Sequence, residues 1–166
     1  MKALLKTSLL AIVLFLLSSS NSVAQITSDT VRYADGSMFI GRGYLNGVIN
    51  GYGTMIWITG ERYDGEWKDT KQHGFGTMRW ANGDVYSGDW KVNKRTGTGK
   101  MTWHTGDIYD GQWKDDKQQG KGKMKWAAGD YYEGEFKNNL VDGKGTMKYA
   151  TGLVYKGKWK DNNFVK

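Results

Sequence analysis

The sequence predicts an all-β protein, an elongated single-layer antiparallel meander of stacked β-hairpin repeats preceded by a signal peptide. Three observations support this prediction. Glycine and aromatic residues recur every 23 residues, and between them apolar and polar residues alternate with a period of two. The 166 residues include 24 glycines, 8 tryptophans and 10 tyrosines but no proline. A fixed period of roughly 20–50 residues is typical of repeat architectures, and a period of two is typical of half-buried strands.

Residues 1–24 have the features of a secretory signal peptide. Met1–Lys6 carries two lysines and no acid, Leu9–Leu17 is an unbroken apolar run, and the segment ends in Ser-Val-Ala. A transmembrane anchor is the alternative, but nine apolar residues are too few, because a spanning helix needs about 20. The sequence therefore predicts an exported protein, periplasmic or secreted, with cleavage near Ala24 and an N-terminal lead-in over residues 25–35.

Residues 36–166 carry the repeat array, about five and a half units of 23 residues. The first unit has one additional residue in its turn, and the last unit stops after its first half. Atypical terminal units are common in stacked repeats, because one side faces solvent instead of a neighbour. The recurring residues include Gly60, Gly83, Gly106, Gly129 and Gly152, and Gly65, Gly88, Gly111, Gly134 and Gly157, and Met55, Met78, Met101, Met124 and Met147.

Each unit is predicted to be a β-hairpin. The segment Glu61–Trp67 alternates tyrosine, glycine and tryptophan with charged residues, and Gly74–Trp80 alternates glycine, methionine and tryptophan with other residues. Pairs such as Val92-Asn93 supply the middle turn, because asparagine and aspartate tolerate a left-handed backbone, and Asn82-Gly83 is a strong hairpin signal for the return. About 11 strands, roughly 4.8 Å apart, predict an object on the order of 50 Å long. Val154–Lys160 is predicted to be the last strand, without a partner, and its lysines discourage aggregation.

The motifs of the unit are distinctive. They are Y-x-G-x-W at Tyr63–Trp67, H-G-x-G at His73–Gly76 and G-D-x-Y at Gly83–Tyr86, and the pattern recurs over 36–166. In these motifs the chain resembles the MORN (membrane occupation and recognition nexus) repeat family. The resemblance implies a hairpin-stack fold and roles in scaffolding, dimerisation and attachment to membranes or lipid head groups. The other units lack a counterpart of His73, and the glycine often found in the family's middle turn is absent.

The sequence contains few residues of the kinds that form catalytic or metal-binding sites. The absence of cysteine excludes disulfides, thiolate zinc sites and cysteine nucleophiles, and the two histidines are His73 and His104. A carboxylate recurs beside the return turn, whereas a catalytic carboxylate pair should be unique and lie in a cleft. We therefore expect a non-enzymatic protein with no cofactor and no metal site. The recurring carboxylates are Glu61, Asp84, Asp107 and Asp130.

Two residue series are candidate binding surfaces. Aromatic residues on one face of the sheet are either core packing between neighbouring units or a platform for sugars or lipid. Lysines that follow each Tyr-x-Gly-x-aromatic strand are either solubilising turn residues, diluted by adjacent acids, or a basic edge for anionic groups. The aromatic series is Tyr63, Trp67, Trp80, Tyr86, Trp90, Trp103, Tyr109, Trp113, Trp126 and Tyr132, and the lysine series is Lys68, Lys91, Lys114, Lys137 and Lys160.

The predicted function is that of an interaction or scaffold module, which attaches to membrane lipid or to a protein partner. The alternative is a module that binds carbohydrate or cell-wall polymer through the aromatic ladder. The partners that fit are a protein, a second copy of the chain, an anionic membrane surface or a glycan. Nucleic acid is not expected, because the signal peptide predicts export.

Overall fold

The computed structural model describes residues 29–165, which contain β-strands and no helix. Thirteen strands form one antiparallel sheet in which every strand pairs with the next one of that sheet, and two short strands form a separate ladder. The predicted all-β meander of stacked hairpins is therefore confirmed. The predicted signal peptide and residues 25–28 of the predicted lead-in lie outside the described residues.

The strands of one repeat are seven and nine residues long, which matches the alternating segments of the sequence. The strands are β1 (Asp29–Arg32), β2 (Met38–Gly41), β3 (Tyr44–Leu45), β4 (Val48–Ile49), β5 (Gly51–Ile56), β6 (Arg62–Lys68), β7 (Lys71–Arg79), β8 (Val85–Lys91), β9 (Lys94–Thr102), β10 (Ile108–Lys114), β11 (Lys117–Lys125), β12 (Tyr131–Lys137), β13 (Leu140–Lys148), β14 (Val154–Lys160) and β15 (Asn163–Val165).

Two kinds of connection alternate along the sheet. A two-residue turn such as Val92-Asn93, with φ of 52° and 63°, joins the two strands of each repeat, as the sequence predicts. The return to the next repeat is a five-residue loop closed by a hydrogen bond from the amide of Trp80 to the carbonyl of Asp84. Only Gly83 has a positive φ there, 93°. The Asn82-Gly83 signal thus marks the hairpin, although the loop is longer than a two-residue turn.

A ladder of glycines crosses the sheet at its middle. Gly65 pairs with Gly76, Gly76 with Gly88 and Gly88 with Gly99, and the series continues from Gly41 to Gly157. A Cβ atom on Gly76 would collide with the ring of Tyr63, which lies directly over the backbone. The glycines therefore make room for the tyrosine rings, as their recurrence in the sequence predicts.

The core is a continuous row of aromatic rings on one face of the sheet. The rings meet edge to face, with centroids 4.9–6.2 Å apart and interplanar angles of 82–90°. This geometry places the positive edge of one ring on the negative face of the next. The row consists of Phe39, Trp67, Tyr63, Trp90, Tyr86, Trp113, Tyr109, Phe136, Tyr132 and Trp159.

Hydrogen bonds tie each repeat to the next one. The Trp90 indole N–H donates to the carbonyl of Gly76 (3.1 Å), and the Asn93 side chain accepts from the amide of Gln72 (2.8 Å). The carboxylate of Asp107 accepts from the amide of Ala127 (2.8 Å) in the following loop. Asp84 and Asp130 bind the next loop in the same way. Three of the four recurring carboxylates thus hold loops together.

The ends of the described array differ from the sequence-based expectations. Strand β1, within the predicted lead-in, pairs with β2. The additional residue of the first unit is part of a small ladder, in which β3 and β4 flank the turn at Asn46 and Gly47. The prediction that Val154–Lys160 has no partner after it is wrong, because Lys158–Lys160 pair with the three residues of β15. The residues of β14 before Lys158 have no such partner in β15.

Candidate interaction surfaces

The ten aromatic residues of the predicted binding face separate into two groups. The four tyrosines are 0% exposed, and Trp67, Trp90 and Trp113 are 4–6% exposed. These seven belong to the core, which agrees with the packing interpretation of the series. The other three, Trp80, Trp103 and Trp126, are half-buried and line the return loops. An aromatic contact with a ligand, which stays a prediction, has only these three rings of the series available.

The buried tyrosine hydroxyls donate hydrogen bonds to backbone carbonyls of their own repeat. Tyr109 donates to the carbonyl of Gln112 (2.9 Å), and Tyr132 donates to the carbonyl of Glu135 (3.2 Å). Burial raises the pKa of Tyr132 to about 12. Burial, followed by nearby carboxylates, raises the pKa of Tyr63, Tyr86 and Tyr109 well above 10. The folded core therefore requires that these four tyrosine side chains stay un-ionised.

We expect this protein to unfold in alkaline solution together with ionisation of its tyrosines. A folded-state pKa above the unfolded value contributes stability that is complete below about pH 10 and is lost as pH rises through the folded pKa. For Tyr132 this loss spans pH 10 to about 12 and is on the order of 2 kcal/mol. Phenolate absorbance and circular dichroism, recorded on one pH series, should change together. Titration of all tyrosines near pH 10 with the β-sheet signal intact would contradict this expectation.

The lysine series lies along one edge of the sheet. Lys68, Lys91, Lys114, Lys137 and Lys160 are all exposed, and each one ends a strand just before a two-residue turn. The meander brings these turns to a common edge, because each pair of successive turns is separated by one return loop at the opposite edge. We call the lysines that flank the two-residue turns the lysine edge.

The structure adds three lysines to this edge that the sequence-based series does not include. Lys71 is paired directly with Lys68, Lys94 with Lys91, and Lys117 with Lys114. All three are exposed. The spacing is visible in the sequence, because each of these three lysines lies three residues after a lysine of the series. This spacing makes the two lysines direct cross-strand neighbours only if a two-residue turn lies between them.

Acids near the lysine edge bind either another residue or a lysine of the edge itself. Asp116 binds Arg95, with 3.1 Å between Oδ1 and Nε. Asp142 binds Lys160 (2.7 Å between Oδ2 and Nζ), and this hydrogen bond lowers the pKa of Asp142 and raises that of Lys160. Asp69, Asp115 and Asp161 lie in the turns themselves and are exposed, and Oδ2 of Asp161 is 3.8 Å from Nζ of Lys160.

The opposite edge is close to neutral. The five return loops from 57–61 to 149–153 contain no lysine or arginine, and four of them end in Glu or Asp. The basic residues that directly flank these loops are Arg62, Arg79, Lys125 and Lys148. His104 is the one histidine in these loops, and its Nδ1 lies 2.8 Å from Oδ1 of Asp84. Burial of Asp84 by itself would raise its pKa, but hydrogen bonds from His104 and Asn82 outweigh burial and lower it. His104 thus strengthens the contact between its own return loop and the preceding loop, which ends in Asp84.

The polar face of the sheet carries charges of both signs. A cavity of about 560 Å³ lies over strands β10–β13, and its border includes Lys121, Lys123, Lys144, Glu133 and Glu135. Lys123 and Glu133 are 3.5 Å apart, and both side chains are more than half exposed. Because lysines and carboxylates alternate there, this face has a weaker positive character than the lysine edge.

The described part of the chain contains neither a metal-binding cluster nor a membrane-spanning helix. Over residues 29–165 no group of three or more His, Cys, Asp or Glu side chains is arranged to hold a metal ion. The same residues contain no helix that is long and apolar enough to cross a membrane.

Comparison with known protein families identifies the repeat. The family model of the MORN repeat matches five successive segments, at residues 43–62, 63–85, 86–108, 109–131 and 132–154. The chain belongs to the MORN repeat family. The MORN repeats indicate an interaction module rather than an enzyme. No curated protein sequence is significantly similar to this MORN protein.

Comparison with solved structures finds, among others, two structures of a Drosophila melanogaster domain. The MORN array is similar to the TCP10c domain of Sas-4, with 13% identity, coverage of 78% of this chain and 79% of that chain, and a TM-score of 0.46. It is also similar to the SAS-4 (dCPAP) TCP domain in complex with a proline-rich motif of Ana2 (dSTIL), with 14% identity, coverage of 88% and 99%, and a TM-score of 0.35.

Proposed function

We propose that this MORN protein is an exported, non-enzymatic interaction module that attaches to anionic surfaces, foremost phospholipid membranes, through its lysine edge. The observation that carries the proposal is the pairing of exposed lysines across three successive two-residue turns. Like charges directly opposite each other destabilise a sheet. Their recurrence at the same edge therefore favours a role outside the fold itself.

The spacing of the lysine edge suits a surface that carries many separate negative charges. Neighbouring turns are two strands apart, which corresponds to roughly 10 Å. Each lysine near an anionic membrane contributes about 1 kcal/mol. A row of lysine pairs can therefore bind by summing weak contacts, and no single enclosed site is needed. Phosphate head groups provide the required charge and are mobile enough to match the spacing.

Removing three lysines from the lysine edge is expected to abolish most of the binding to anionic membranes. The triple variant Lys71→Gln, Lys94→Gln, Lys117→Gln removes three charges, which corresponds to a loss of about 3 kcal/mol, or roughly 100-fold in affinity. Binding is measured by co-sedimentation with vesicles of phosphatidylglycerol and phosphatidylcholine, and with phosphatidylcholine alone. The wild-type protein should bind only the anionic vesicles, and higher salt should weaken the binding because salt screens exposed charges.

A matched variant distinguishes the lysine edge from net charge. Lys121→Gln, Lys144→Gln, Lys156→Gln also removes three exposed lysines, but from the polar face. This variant should retain most of the affinity for anionic vesicles. Equal losses in the two triple variants would show that overall charge governs binding and would refute the role of the edge. Equal sedimentation with neutral vesicles would refute attachment through charge.

Glycan binding is the second candidate, and the half-buried rings of Trp80, Trp103 and Trp126 support it. Aromatic faces can stack on sugar rings, and such contacts depend little on salt, unlike those of the lysine edge. Sedimentation with insoluble cell-wall polymer at low and moderate salt tests this candidate. Salt-insensitive binding that Trp103→Ala removes would favour the glycan over the membrane. Sedimentation with neither material would favour a protein partner or self-association.

A further inference from the structure

A cavity of about 340 Å³ opens on the aromatic face near the start of the MORN array. The indoles of Trp57 and Trp67 form two of its walls, with ring centroids 6.5 Å apart and planes inclined by 46°. The thioethers of Met55 and Met78 border it, and Glu61 adds a carboxylate. Rings, thioethers and a carboxylate together form an environment that suits an organic cation.

One repeat further along, the corresponding position is occupied by a cation of the chain itself. Arg95 stands 23 residues after Gln72, which borders the cavity. The guanidinium of Arg95 lies 4.5 Å from the ring centre of Trp113 and 5.7 Å from that of Tyr86. Its Nη1 is 3.9 Å from the sulfur of Met101, just as Nε2 of Gln72 is 3.8 Å from the sulfur of Met78.

The fold therefore contains an internal example of a guanidinium beside the counterpart of Trp57, because Arg95 also lies 6.0 Å from the ring centre of Trp80. In the repeat of Arg95 the chain supplies the guanidinium, and Asp116 balances its charge at 3.1 Å. In the preceding repeat Gln72 and Asn93 take the places of Arg95 and Asp116, and the shorter glutamine side chain leaves the space open. Trp57 and Met78 are the repeat counterparts of Trp80 and Met101, and Trp67 gives the cavity a second ring. The counterparts of Trp113 and Tyr86, which are Trp90 and Tyr63, do not line the cavity.

Glu61 differs from the other members of its series in a way that suits this cavity. Asp84, Asp107 and Asp130 all accept a hydrogen bond from a backbone amide of the next loop. Glu61, one methylene longer, borders the cavity and accepts a hydrogen bond from the Thr59 hydroxyl at 3.0 Å. The open position thus has its own carboxylate, supplied by the one residue of the series that departs from aspartate.

The corresponding position in the last repeat lacks these features. A cavity of about 510 Å³ lies there, but Leu153 takes the place of Glu61 and Phe164 takes the place of Gln72. No carboxylate side chain borders this cavity among the described residues. Cation binding is therefore a property of the first cavity and does not follow from the repeat pattern alone.

We infer that the cavity between Trp57, Trp67 and Glu61 binds a guanidinium group, presented by a free arginine-like molecule or by an arginine side chain of a peptide. Trp57 and Met78 contact the guanidinium as Trp80 and Met101 do at the Arg95 site, Trp67 adds a second ring, and Glu61 provides the opposite charge. A cation held by such contacts at a partly open site binds weakly, with a dissociation constant on the order of 1 mM.

Titration of the purified protein with N-acetyl-arginine amide, followed by tryptophan fluorescence and calorimetry, tests this site. The control ligand is N-acetyl-citrulline amide, which has nearly the same shape but no charge and should not bind measurably. Free arginine and an acetylated Gly-Arg-Gly amide form two further arms. Tighter binding of the tripeptide would identify a peptide arginine as the source, and tighter binding of free arginine would identify a small molecule.

Variants of the cavity make the test independent of folding. Gln72→Arg should seat its own guanidinium in the cavity, abolish binding of N-acetyl-arginine amide and leave the thermal unfolding temperature unchanged or higher. Glu61→Gln keeps the shape and should weaken binding about fivefold, which is the effect of removing roughly 1 kcal/mol. Equal binding of the citrulline amide, unaltered binding by Gln72→Arg, or no saturable binding of any arginine ligand would overturn the inference.

Discussion

Replacing Gly99 with alanine is expected to lower the free energy of unfolding by about 3 kcal/mol or more, because the new methyl group overpacks a rigid part of the core. A Cβ atom at this position would enter the space of the Tyr86 ring and hydroxyl. The ring cannot move aside easily, since it is fully buried and its hydroxyl donates to the carbonyl of Asp89 at 3.1 Å. Denaturant unfolding followed by tryptophan fluorescence measures the loss.

Gly152→Ala is the matched control for this substitution. Gly152 has a φ of 90°, and nothing lies within 4 Å of the place that an alanine methyl group would take, whereas no positive φ applies at Gly99. The control therefore measures backbone strain without overlap, which costs about 1 kcal/mol. Equal losses at the two positions would show that the space beneath the tyrosine rings is not what selects glycine in the ladder.

Trp90→Ala is expected to cost about 4 kcal/mol, the second large effect, since it removes a buried ring from the middle of the aromatic row. Trp90 is 4% exposed and meets Tyr63 and Tyr86 edge to face at 5.5 and 5.1 Å. Its indole N–H donates to the carbonyl of Gly76, so the substitution also leaves a buried acceptor unsatisfied. A loss of this size is a large part of the stability of a typical domain, and thermal unfolding should begin at a clearly lower temperature.

The chain itself suggests the control for this second prediction. Phe136 occupies the same position two repeats later and packs against Tyr109 and Tyr132 at 5.0 and 5.3 Å. Trp90→Phe should therefore keep the edge-to-face contacts and lose mainly one hydrogen bond, a cost of about 1–2 kcal/mol. If phenylalanine were as harmful as alanine at this position, the row of rings would not be the main source of stability.

The repeat and its two faces could be predicted from the sequence because a single unit recurs with little change. Strands such as β6 and β7 follow from period-two alternation, and the two-residue turns follow from Asn and Asp at positions that require positive φ. The glycine series predicts that aromatic rings approach the backbone closely. Because the same pattern of glycines, aromatic residues and turns occurs in every repeat, the fold can be predicted from several independent segments.

The ends of the array were harder to predict, since they have no repeat to support them. Strands β1 and β15 have four and three residues, and their pairing depends on the strand next to them more than on their own pattern. The small ladder of β3 and β4 results from a one-residue change in spacing, which does not by itself show that new strand pairs form.

The candidate surfaces were predictable only in part, because exposure depends on how the sheet bends. The sequence places tyrosine and tryptophan on one face, and a flat single layer would leave them accessible. Instead, the register shifts after Gly65, Gly88, Gly111 and Gly134. Such bulges increase the local twist, and the rings of adjacent repeats interlock until seven of the ten predicted residues are buried. The added lysines, Lys71, Lys94 and Lys117, became apparent only when the turn made them neighbours of the series.

The difference in charge between the two sheet edges gives the MORN array an electric dipole along the direction of its strands. Strands of seven to nine residues separate the edges by about 25–30 Å, which is several times the screening length of about 8 Å at physiological salt. The acidic loops are therefore screened from any charged plane that the lysines touch, so they add almost no repulsion there. Such a plane would orient the molecule upright on one edge, with its length parallel to the plane and both broad faces open to the surrounding solution.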